Sequence, residues 1–184
     1  MIVHNTNTVK SILNSMFDCV GIANMERFKN APDKYHPKNI LDGFKSVIVY
    51  AQGNKHDNED AMGSFSDIWG SIAAQNEVVM FLEALGYKSI IIPGDNRSIS
   101  LIHMGIEAGL GEMSPVNSLV IKGLGLTASL AAIITDAPLI SDEKVTGICI
   151  KCMNCMEVCP ATKVAYQRNP KECGCGKCRN ICPV

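Results

Sequence analysis

The chain has 184 residues, is 47% hydrophobic and carries a formal charge of −1. That length allows one domain with a sizeable core, or one domain plus a small appendage. The near-neutral charge argues against bulk electrostatic binding to nucleic acid or to an anionic membrane, and no apolar run reaches transmembrane length.

Taken in chain order, residues 8–17 (TVKSILNSMF) have the apolar spacing of a helix. CVGIA (19–23) reads as a strand, with Cys19 as a buried apolar residue on it. PKNILDGF (37–44) reads as a turn with a short helix, and SVIVYAQ (46–52), continuously apolar, as a buried strand. A polar loop (53–63) leads into the longest expected helix, 64–85, where Ile68, Ile72, Val79 and Leu82 recur at helical spacing before Gly86. KSIIIP (88–93) is another strand and SISLIHMGIEAG (98–109) a helix ending at glycine. Residues 117–135 read as two strands forming a hairpin around a glycine-rich turn. Alternating helices and strands that end in a hairpin predict an α/β or α+β sandwich around one sheet, spanning 1–145.

The chemistry is concentrated in residues 146–184. Cys149, Cys152, Cys155 and Cys159 follow the spacing C-x2-C-x2-C-x3-C-P, and Cys175, Cys178 and Cys182 repeat its end as C-x2-C-x3-C-P. This is the spacing of bacterial ferredoxins with 4Fe–4S clusters, in which the fourth cysteine of each run serves the other cluster. By that exchange, Cys149, Cys152, Cys155 and Cys182 hold one cluster, and Cys159, Cys175 and Cys178 the other. Cys173 stands one residue from the place of the missing fourth ligand. A zinc site is the competing reading, since paired C-x2-C suits zinc, but eight cysteines with two C-x3-C-P endings exceed its needs. Clustered cysteines of this kind suit a reducing compartment, and with no basic or twin-arginine leader in MIVHNTNTVKS the expected location is the cytoplasm. Lys151, Lys163, Arg168, Lys171, Lys177 and Arg179 against Glu157 and Glu172 give this segment a balance of +4. Two oxidised clusters with their thiolates carry roughly −4, so the local charges nearly cancel. A segment this short has little core of its own and must lean on the first 148 residues.

Gly109 and Gly111 in AGLGEMSP, and Gly123 and Gly125 in KGLGLTAS, are places where a backbone can approach a bulky cofactor closely, or else ordinary turn glycines. Tyr50 reads as a core tyrosine or a phenol offered to a cavity. His103 reads as a packed or surface histidine.

The ordered set HPKNILDGFKSVIVYA, FLEALGY, IEAGLGEMSPVNSLVI, AAIITDAPL and the double cysteine motif resembles the corrinoid-dependent iron–sulfur reductive dehalogenases and the related epoxyqueuosine reductases. The resemblance implies a nitroreductase-like α/β domain holding cobalamin, with two 4Fe–4S clusters feeding it electrons from a donor such as a ferredoxin or flavodoxin. It also implies that Asp95, in IPGDNRS, matches the proton-donating aspartate of the epoxyqueuosine reductases; a turn or cap aspartate is the plainer alternative. The chain is shorter than either family and lacks their leader or helical-repeat region, so the expectation is a pared-down relative acting on a small molecule, with no nucleic-acid or membrane partner. Three roles remain open: a reductase using cobalamin or a flavin, a non-enzymatic electron carrier or redox subunit, and a protein whose clusters are structural.

Overall fold

A computed structural model of the protein describes residues 1–53, 65–96, 99–160 and 177–184. The expected polar loop at 53–63 lies almost wholly outside the described residues, as do Cys173 and Cys175.

The centre is a four-stranded antiparallel sheet in the order β1-β2-β6-β3. Its strands are β1 (Cys19–Asn24), β2 (Ser46–Gly53), β3 (Ser89–Ile92) and β6 (Ala128–Thr135). β2 is central, which is why its sequence is apolar on both faces rather than alternating. Its residues point alternately into two cores. Val47, Val49 and Ala51 face one; Ile48 and Tyr50 face the other. A row of isoleucines crosses the second face in register, Ile22 beside Ile48, Ile48 beside Ile133 and Ile133 beside Ile91.

Helices cover both faces. α1 (Ile2–Asn14) and α2 (Phe65–Ala84) bury Val9, Leu13, Val78 and Leu82 against the isoleucine row. α3 (Leu101–Glu107) packs Leu101 and Met104 on the other face, with Phe28, Leu41 and Phe44 from the turns between β1 and β2. The result is a three-layer mixed α/β sandwich. Among the described residues no helix is long and apolar enough to cross a membrane.

Three differences from the sequence expectation have physical causes. α1 begins six residues earlier than its apolar spacing suggests. Its first turns bury Asn5 and Thr6, and the Thr6 hydroxyl accepts the Ile140 N–H at 3.0 Å, so polar contacts extend the helix. In α2, Ile72 is 42% exposed while Val78 is fully buried, so the inward stripe runs through Ala74, Val78 and Leu82. The expected hairpin in 117–135 does not form. β5 (Leu119–Val120) pairs with the short β4 (Glu112–Met113), whereas β6 pairs with β2 and β3; one isolated bridge joins Ile121 to Gly125. The glycine-rich turn therefore connects two separate sheets.

The segment after β6 is tied down hydrogen bond by hydrogen bond. The Ser46 hydroxyl donates to the Ala137 carbonyl (2.8 Å) and accepts the Leu139 N–H (3.0 Å). Asp142 accepts the Ile22 N–H at 2.9 Å, forms an ion pair with Lys10, and its own N–H donates to the Ile22 carbonyl at 2.8 Å. Residues 136–142 thus cross the sandwich as a strap and deliver residue 149 to a fixed place.

Ile48 stands at the crossing of sheet and helices, so Ile48→Ala should cost about 2–5 kcal/mol of stability. Urea unfolding of protein purified without oxygen measures it. A loss under about 1 kcal/mol, the range of a surface change, would contradict the placement.

Candidate metal centre and adjoining cavity

The cysteine loop begins where the strap ends. Cys149 and Cys152 precede α4 (Asn154–Glu157), a single turn that carries Cys155 and is followed by buried Cys159. Lys151 (φ 53°) and Met153 (φ 66°) have left-handed backbone, uncommon for residues with a Cβ. Left-handed residues interleaved with ordinary ones turn successive N–H groups into one concavity, a form that binds anions and iron–sulfur groups.

The far motif closes on this loop. After α5 (Lys177–Asn180), Cys182, Pro183 and Val184 return to it. Cys149, Cys152, Cys155 and Cys182 line one small cavity whose exposed walls are apolar. Their proximity shows in Cys155: burial pushes its thiol above the ordinary range, and neighbouring Cys149, Cys152 and Cys182 push it the same way. Cys152 is exposed and Cys155 buried, so the cavity spans from surface to core. Among the described residues, no group of three His, Cys, Asp or Glu is placed to hold a single metal ion.

The wall of the cavity comes from the sandwich. Val116, Val120 and Leu126 pack with Cys155 and Cys159, and with the partly buried Ile148, Cys149, Met156, Cys178, Cys182 and Val184. The expectation that the cysteine segment leans on the rest of the chain is met in these contacts.

A second cavity of about 450 Å³ lies beside the first. Ends of β3, α3, β5 and β6 surround it: Gly94 and Asn96, Ile99 to Ile102, Ser118 and Leu119, and Ala128 to Leu130. Arg179 of α5 contributes a charged side chain to its wall. Leu126, nearly buried, lines both cavities.

Of the four glycines expected at a cofactor, three make close approaches, and they make them to the chain itself. A Cβ on Gly109 would fall 2.1 Å from the Glu143 carbonyl, and one on Gly111 2.1 Å from the Val120 carbonyl. Gly123 (φ 78°) has nothing within 4 Å of its Cβ position. Gly125 (φ 58°) faces the C-terminal tail, 3.0 Å from the Val184 carbonyl and 3.4 Å from the Cys182 Cβ. None of the four lines the larger cavity. Asp95 sits exposed in the turn Pro93–Asn96, closed by the Asn96 N–H to the Pro93 carbonyl at 3.1 Å. Its neighbours Gly94 and Asn96 line the cavity; its own side chain does not. Tyr50 is 1% exposed and packs against Phe17 at 4.5 Å; its hydroxyl has no partner among the described residues, and burial holds its pKa far above the usual phenol range. His103 is exposed, with Nδ1 2.7 Å from the Ser100 hydroxyl at the start of α3. Cys19 is half-buried on β1, its thiol raised by burial and then by Asp18. Two residues that sequence reasoning passed over matter more: Leu126, and Glu112, whose carboxylate meets the first amides of the cysteine loop.

Fold and site together define a mixed α/β protein with a cysteine-rich segment closed over a neighbouring cavity. No family model matches the chain. It is 30% identical over 99 residues to a tetrachloroethene reductive dehalogenase of Desulfitobacterium hafniense, a match covering 52% of this chain and 18% of that protein. The fold is similar to that of an epoxyqueuosine reductase solved with a stem loop of an epoxyqueuosine-modified tRNA-Tyr (TM-score 0.75, 19% identity, 98% of this chain and 64% of the other). It is also similar to a reductive dehalogenase whose structure suggests a mechanism for B12-dependent dehalogenation (TM-score 0.62, 19% identity, 88% and 26%). Part of the sequence is thus similar to reductive dehalogenases, and the fold is similar to those of an epoxyqueuosine reductase and a reductive dehalogenase; the chain spans about a fifth of the length of the curated relatives it matches.

Gly123 and Gly125 make a matched pair, since Ala at either strains a left-handed backbone by about 1 kcal/mol. Only Gly125→Ala adds a methyl against Cys182. Alkylation of Cys182, followed by mass spectrometry on anaerobic protein, should be several-fold faster in Gly125→Ala than in Gly123→Ala. Equal rates would contradict the packing of the tail on this turn.

Proposed function

We propose that the chain is a reductase-type redox protein in which Cys149, Cys152, Cys155 and Cys182 would hold one 4Fe–4S cluster. Cys159 and Cys178, with Cys173 and Cys175, would hold a second. The observation that carries this reading is the convergence of thiols from both motifs on one cavity that shares Leu126 with a larger one. The donor set fits: four thiols, drawn from both motifs, line one cavity, and four thiolates are what a 4Fe–4S cubane takes. The apolar wall fits as well, since burial and solvent exclusion help tune such centres.

The 450 Å³ cavity is of a size that holds a small organic molecule or part of a larger cofactor. We assign it to the reacting part of a cobalamin or a flavin, with a small organic substrate beside it. Bound clusters would supply one-electron transfer and the organic cofactor the reductive bond chemistry; the chain supplies position and electrostatics. Leu126 forms a wall common to the two cavities. Arg179 places a cation where negative charge accumulates during reduction. Asp95 stands at the rim, where a carboxyl can return a proton to a reduced product. We place the protein in a reducing compartment, the cytoplasm, where a ferredoxin or flavodoxin would serve as donor. The overall charge of −1 does not bar a nucleic-acid partner, because one structural neighbour was solved with a tRNA stem loop.

A second reading, an electron carrier or redox subunit with no organic cofactor, is favoured by the exposed Ile150, Cys152 and Met153. These give a partner an apolar approach to the cysteine loop.

Uptake of hydroxocobalamin and of FMN by anaerobic protein, read from difference spectra, separates the two. The enzyme reading predicts tight uptake of one of them, lost in Ala128→Trp, which fills the cavity, with iron content unchanged. Failure of both cofactors to bind would leave the carrier reading. Uptake that survives Ala128→Trp would remove the cavity from the account.

A further inference from the structure

Glu112 opens β4, just after Gly111, whose missing side chain lets β4 lie against the Val120 carbonyl. Its pairing with Val120 fixes where its carboxylate starts, and Val120 is itself part of the wall behind Cys155. From there Oε2 accepts the Ile148 N–H and Oε1 accepts the Cys149 N–H, each at 3.2 Å. Both oxygens thus serve the backbone of one loop, at its first thiol. Among the described residues no lysine or arginine pairs with this carboxylate.

Hydrogen bonds to a charged acceptor are stronger than neutral ones, and two on one rigid carboxylate set orientation as well as distance. The amide of Cys149 is held by the carboxylate and is not free to donate to sulfur. The carboxylate also sets a negative charge beside a site built of thiolates. Net charge and hydrogen bonds to sulfur are two of the levers on an iron–sulfur potential, and here both act in one direction, against accepting an electron.

We propose that Glu112 is a positioning residue that holds the first turn of the cysteine loop and keeps the reduction potential of the group bound there low. The inference rests on the cluster reading above. The redox change concerned is uptake of one electron per cluster from an added reductant, with no bond made or broken in the protein.

Dithionite titration of anaerobically purified protein, followed by electron paramagnetic resonance, tests it, with iron content measured alongside. Glu112→Gln keeps the shape and removes the charge. It should retain iron and shift the reduction equilibrium at least tenfold toward the reduced form, which for one electron is 59 mV. Glu112→Ala should release iron to a chelator several-fold faster, and Glu112→Asp should lie between it and the natural protein. Iron loss in Glu112→Gln that Glu112→Asp largely restores also supports the proposal, because the carboxylate is then what holds the loop. An unchanged or lowered potential in iron-replete Glu112→Gln overturns it, as does iron loss alike in all three variants. Natural protein without iron or sulfide would instead overturn the cluster reading itself.

Discussion

The structure depends on one constraint: four thiols from two separate stretches of the chain meet against an apolar wall that neither stretch provides. Val116, Val120 and Leu126 come from the sandwich, while Cys149, Cys155 and Cys182 come from the tail. A segment of this length cannot bury enough surface to hold four converging sulfurs by itself. Ligand binding at such a site contributes to folding, so the centre and the sandwich stabilise one another. The fold is therefore a support for the cysteine segment as much as a domain beside it.

The sheet's part is to deliver that segment. Two cores lock β2 and β6 from both sides, and the strap after β6 takes its hydrogen bonds from Ser46, Thr6 and Ile22 in turn. Glu112 takes over where the strap ends. Side chains of the sandwich thus hold the backbone at 139–142 and again at 148–149, just before and at the first thiol. The larger cavity opens at the ends of β3 and β6, beside the same tail. Leu126 lines both cavities, so a single side chain stands between the thiols and the larger space.

Much of this was legible from spacing. Apolar runs placed β1, β2 and β3 within two residues; the run in β2 is unbroken because that strand is central and buried on both faces, while β1 and β3 are edge strands with shorter runs. The cysteine intervals anticipated that Cys182 joins Cys149, Cys152 and Cys155, since three intervening residues turn the fourth thiol of each run away from its neighbours. Long-range and polar contacts were not legible. Nothing in 117–135 reveals that β5 pairs backward with β4, because two-residue strands carry almost no pattern. The glycines at 109, 111 and 125 were recognised as places of close approach, but composition does not say to what; the answer is the chain's own backbone and tail. Glu112 carries no signal of its own in the sequence, and only the fold shows both its oxygens on the cysteine loop.

Anomalous diffraction at the iron absorption edge, from crystals grown without oxygen, tests the central claim most directly. The account predicts a strong iron peak bounded by the sulfurs of Cys149, Cys152, Cys155 and Cys182. A peak at the zinc edge in its place, or iron held by Cys149, Cys152, Cys155 and Cys159 without Cys182, would contradict it.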